Sequence, residues 1–146
     1  MIREYDHDQL YPCYGFGAVK PGAGAGKNHC FPLNDNPSDP HVRGVEGILG
    51  AYASALTQWG LSGPTIFSQV IGAAAGMARQ SAAASSSANP GTYTILLIVT
   101  DGVITDLEAT KEAIVAASDL PLSIIIIGVG DADFSAMHAL DSDEVT

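Results

Sequence analysis

The chain has 146 residues, 47% of them hydrophobic and 15% charged, and its 16 acidic residues against 6 basic ones give a formal net charge of −10. That length suits one domain with a sizeable core, while the charge argues against nucleic acid or anionic lipid as a direct partner, since both would be repelled. No apolar run approaches the roughly 18 to 20 residues that span a bilayer. Residues Met1 to Asp6 lack the apolar core of a signal peptide, so a cytoplasmic protein is expected. Cys13 and Cys30 are too few for a disulfide framework and have no CxxC spacing, which predicts buried free thiols and no zinc site.

In chain order, Cys13 to Val19 alternates bulky and small residues and predicts a strand, and the run from Gly22 to Lys27 predicts a flexible turn. His29 to Leu33 predicts a second strand paired antiparallel across that turn, and Asn34 to Pro40 a loop. Val45, Ile48, Leu49, Tyr52, Ala53, Leu56 and Trp59 follow the spacing of one helical face, with Gly60 closing the helix. A second helix is predicted from Ile66 to Gln80, with Phe67, Val70, Ile71, Ala74, Ala75 and Ala78 inward, followed by a small-residue loop from Ser81 to Gly91. Thr92 to Thr100 and Leu122 to Ile127 contain unbroken apolar runs, the pattern of strands covered on both faces. Between them, Thr105 and Glu108 have the spacing of a capping box opening a helix that reaches about Ser118, and a short helix is predicted from Phe134 to Leu140. The order strand, helix, strand, helix predicts an α/β fold with an open, mostly parallel sheet flanked by helices. Ligands in such folds sit at the carboxyl ends of the strands.

Several motifs fail on inspection. The Gly22 to Lys27 run has Pro21 and Asn28 where a phosphate loop needs Gly and Ser or Thr. Asp131 to Ser135 imitates an EF-hand opening, but Ala136 and Ser142 stand where Gly and Glu are required. His7, His29, His41 and His138 share no spacing and read as surface or loop residues, and no nucleophile stands beside a base, so no enzymatic activity is expected. Two positions stand out. Asp101 follows a buried strand and is either a metal-ligating carboxylate or half of an Asp-Gly turn; Thr65 opens a helix and is either a ligand hydroxyl or an N-cap. Oxygen donors from two loops suit Mg²⁺.

Tyr14 to Ala18, His29 to Asn34, Gly63-Pro64-Thr65 with Phe67, Thr100 to Asp106, Leu120 to Ile126 and Gly128 to Met137 together resemble the copine C-terminal domain, in that order and over nearly the whole chain. The resemblance implies one partial von Willebrand factor A-type domain over residues 1–146, Rossmann-like, with the first and last strands missing. It implies a non-enzymatic protein-interaction module that binds Mg²⁺ or Mn²⁺, with Thr65 and Asp101 matching two of the family's metal positions and an Asp-x-Ser/Thr-x-Ser motif absent. Partners carrying an acidic motif would bind through that metal. Calcium-dependent phospholipid binding, and with it peripheral association with the plasma membrane, would belong to C2 domains outside this chain. The alternatives are an A-type domain of a RING ubiquitin ligase and a nucleotide-binding α/β enzyme core.

Overall fold

The computed structural model describes residue 4 and residues 6–22 and 28–141. The predicted turn at Ala23 to Lys27, and Ser142 of the EF-hand comparison, lie outside the described residues. The chain divides into two compact units, Met1–Gly63 and Pro64–Thr146. Among the described residues, no helix is long and apolar enough to cross a membrane.

Among its described residues, the first unit is a set of short antiparallel ribbons with a 15-residue helix. Strand β1 (Leu10–Pro12) pairs with β5 (His41–Arg43), β2 (Tyr14–Gly15) with β4 (Phe31–Pro32), and β3 (Ala18–Val19) with β6 (Gly60–Leu61). The single strand predicted from Cys13 to Val19 is therefore two, because Gly17 takes φ 64° and turns the chain between them. The predicted pairing across the glycine run is present, with Gly15 opposite Phe31. Helix α1 (Gly44–Gln58) packs on β5 and β1, and it ends by passing into extended backbone at Trp59 and then β6, so Gly60 is a strand residue rather than a left-handed cap. Trp59 stacks on Phe31 with ring centroids 3.8 Å apart. Two sequence expectations need correction here. His29 lies in a loop, one of the two expected settings, but it is buried there and not at the surface, and its Nδ1 has no hydrogen-bond partner among the described residues. The inward face predicted for α1 is largely exposed, since Leu49, Tyr52, Ala53 and Leu56 all face water.

The second unit holds the α/β arrangement. Strand β7 (Thr94–Thr100) runs parallel to β8 (Leu122–Gly128), in register from Thr94 opposite Leu122 to Thr100 opposite Gly128. Helix α2 (Ser68–Ala83) packs on both strands, and α3 (Leu107–Ala117) packs against α2. All six residues predicted to face inward from the second helix, Phe67, Val70, Ile71, Ala74, Ala75 and Ala78, are buried. The many alanines favour the helical state and let its axis come close to the sheet. A 3₁₀ helix (Ser135–Leu140) follows β8, opened by an Asp133 carboxylate that accepts the Ser135 amide at 3.0 Å.

The two strands are covered on one face only. Ile98 and Thr100 are buried under the helices, whereas Ile95 and Val99 on β7 and Ile125 and Ile127 on β8 are exposed. Alternation of side chains puts these exposed residues on the opposite face. An apolar run shows that a strand tolerates cover on both faces; it does not supply the second cover. The α/β class stands, with the parallel pair as its longest strands and the remaining pairs antiparallel.

Candidate functional site

The carboxyl end of β7 meets the start of α2 inside the second unit, and the contact is built from backbone groups that would otherwise be unpaired. After Thr100 the chain bends, and the Gly102 amide donates to Thr100 Oγ1 at 3.2 Å. Ile104 is buried and anchors the loop. Thr105 then grips the segment before α2 twice: its amide donates to the Thr65 carbonyl at 2.9 Å and its hydroxyl donates to the same oxygen at 2.7 Å. Asp106 completes the clasp, accepting the Phe67 amide on Oδ1 and the Ser68 amide on Oδ2, each at 3.0 Å. Thr110 of α3 adds a hydroxyl donor to Asp106 Oδ1 at 3.1 Å.

This arrangement brings one pair of sequence-predicted residues to the same edge. Thr65 is half-buried, and its Oγ1 lies so close to Gly102 that a Cβ there would approach it to 2.8 Å. Asp101, the residue before Gly102, is exposed, and its carboxylate has no hydrogen-bond or ion-pair partner among the described residues. Thr65 is not an N-cap, because α2 begins at Ser68 and its first amides are taken by Asp106. The predicted capping box does not form either. Thr105 spends its hydroxyl on Thr65, and Glu108 pairs with Lys111 at 3.0 Å.

A Mg²⁺ ion takes about six oxygens and is usually held by one or two carboxylates with several waters. Thr65 and Asp101 offer one hydroxyl and one carboxylate, and no group of three or more His, Cys, Asp or Glu side chains is placed to hold a metal among the described residues. These residues alone do not fit a resident divalent cation.

Asp106 is the functional-looking residue that sequence reasoning passed over. Burial opposes its ionisation, but hydrogen bonds from Ser68, Phe67 and Thr110 outweigh that and hold its carboxyl below the ordinary carboxylate range. An Asp just before a helix reads as a cap for that helix, and its use by a different helix, 38 residues away in sequence, leaves no local signal. Cys13 and Cys30 are free and half-buried, and burial raises both thiols above their ordinary range, the signature of inert rather than reactive cysteines.

Comparison with known proteins agrees with the motifs. The chain is 51% identical over 144 residues to Protein BONZAI 1 of Arabidopsis thaliana and 47% identical over 144 residues to Protein BONZAI 2 of the same plant. Each alignment covers 99% of this chain and 24% of the relative, so the chain spans about a quarter of the length of these relatives. The Copine family model matches residues 1–146, end to end, and the chain belongs to the copine family.

Proposed function

We propose that this chain is a non-enzymatic protein-interaction module of a copine-like protein, whose calcium-dependent association with phospholipid at the cytoplasmic face of the plasma membrane resides in C2 domains outside these residues. Family membership over the full chain supports the reading. The observation that carries it at residue level is Asp101: an exposed carboxylate at the carboxyl end of β7 with no partner among the described residues, near Thr65, whose backbone carbonyl the Thr105 side of the clasp holds in place. A carboxylate so placed is free to meet a ligand. On this reading Thr65 and Asp101 are the remnant of a Mg²⁺ or Mn²⁺ site whose other donors lie elsewhere in a longer chain, and partners with acidic motifs are its targets.

Calorimetric titration with Mn²⁺ tests it. The 146-residue chain is expected to bind weakly or not at all. A longer chain, extended upstream through an Asp-x-Ser/Thr-x-Ser strand, is expected to bind well and to lose binding on Thr65→Ala or Asp101→Ala. Equal, tight binding by both chains would show that the donors lie within these residues after all. No binding by either would remove the cation from the proposal.

A further inference from the structure

We propose that Thr105 is a phosphorylation site for an acidic-residue-directed protein kinase, and that its modification opens the clasp holding Thr65. Three observations converge on it. Thr105 is exposed and lies in the irregular loop between β7 and α3, where a kinase can reach it. It is followed by carboxylates at both the first and third positions, Asp106 and Glu108, and no other Ser or Thr of the chain has that pattern. Such flanking charges complement a basic substrate cleft. Its hydroxyl also has a specific task that a phosphate cannot perform, donating to the Thr65 carbonyl at 2.7 Å.

The chemistry is phosphoryl transfer from a nucleoside triphosphate. Thr105 Oγ1 attacks the terminal phosphorus, the Oγ1–P bond forms as the bond to the bridging oxygen breaks, and the nucleoside diphosphate leaves. The hydroxyl proton passes to the kinase's catalytic carboxylate. The product has no proton on Oγ1 to give to Thr65 and places nearly two negative charges against the Thr65 carbonyl oxygen, one residue before Asp106. The phosphate is repelled by the carbonyl oxygen and by the carboxylate of the adjacent residue, so the segment before α2 loses the Thr105 hydroxyl bond and part of the Asp106 cap together. This is regulation of the site proposed above, and its importance for partner binding rests on that reading. The modification and the loosening do not, because neither involves a cation or a partner.

The test is to incubate the 146-residue chain with an acidic-residue-directed Ser/Thr kinase and Mg-ATP, map the product by mass spectrometry, and follow amide exchange at Phe67 and Ser68. One phosphoryl group on Thr105 is expected, with faster exchange at those two amides and unchanged exchange in β7. Glu108→Gln, at a side chain 82% exposed and outside the clasp, is expected to slow phosphorylation several-fold without altering the fold. Thr105→Val, which removes the hydroxyl without adding charge, should loosen the two amides less than phosphate does. A chain left unmodified at Thr105, a Glu108→Gln variant phosphorylated as fast as the parent, or a phosphorylated chain with unchanged exchange at Phe67 and Ser68 would each overturn the proposal.

Discussion

Helices α1 and α2 have nearly the same length, 15 and 16 residues, and equally clear apolar stripes in sequence, yet they end in opposite circumstances. Every residue predicted to face inward on the second stripe is buried. On the first, none of the seven is fully buried, and the one buried side chain of α1 is Ala55, which lies off the stripe. Periodicity says which residues share a face. Whether another element covers that face is a separate fact, set by the partners the fold supplies. Strands β7 and β8 repeat the lesson within a single element, because both of their faces carry apolar residues in sequence and only one is packed.

The contrast can be broken most forcefully by charge. Ile71 on α2 is fully buried, so Ile71→Asp is expected to unfold its unit, an unpaired buried charge costing several kcal/mol against a typical stability of about 5 to 15 kcal/mol. Leu49→Asp on α1, at a side chain 62% exposed, is expected to change stability by no more than about 0.5 kcal/mol. Thermal melts of the two variants decide it, and equal destabilisation would mean that α1 has a cover in solution. A milder version uses neighbours on one strand. Ile98→Ala is expected to cost about 2 to 5 kcal/mol through the cavity it leaves, and Val99→Ala, on the bare face, about 0.5 kcal/mol or less by urea denaturation.

Element types and much of the packing were legible in this sequence because they rest on local pattern. The α2 stripe, the two parallel strands and the loop at Asn34 to Pro40 all follow from spacing and turn residues. What was not legible is non-local. The split of the first predicted strand depends on a single backbone angle at Gly17, and the burial of His29 depends on neighbours distant in sequence. At the site, Thr65 and Asp101 could be singled out as oxygen donors near strand and helix ends. The groups that position Thr65 could not, since Thr105 and Asp106 sit in a pattern that locally means a cap for α3 and are used on the segment entering α2.

Gly102→Ala sharpens the comparison at that clasp, where packing is close even though the neighbouring Asp101 is open. The added methyl would stand 2.8 Å from Thr65 Oγ1, a distance real side chains do not tolerate, so either the hydroxyl rotates away or the loop shifts. A loss of about 1 to 3 kcal/mol is expected from such overpacking. Because the clash is with one atom, Thr65→Ala in the same chain is expected to recover at least about 0.5 kcal/mol as a coupling energy. Strict additivity in a double-mutant cycle would show that Thr65 and Gly102 do not touch.

A smaller effect than at Gly102 is expected at Asp106, and its size depends on pH. Asp106→Asn keeps the shape of the side chain but removes the charge and one of its two carboxylate acceptors, so it should lower stability at neutral pH by about 1 kcal/mol, the usual scale for a lost helix cap. The folded carboxyl titrates below its ordinary value of 3.8, so the wild-type ionised form contributes stability that is fully present above that value. It is lost as pH falls through the lower, folded value, where Asp106 becomes protonated and resembles the amide. The gap between wild type and Asp106→Asn should therefore be open at neutral pH and close progressively below about pH 3.8. Urea denaturation of both chains at neutral pH and at about pH 3 measures that gap directly. A gap that stayed constant across the range would mean that the charge of Asp106 is not what holds the first amides of α2, leaving its shape and the Thr110 contact as the clasp.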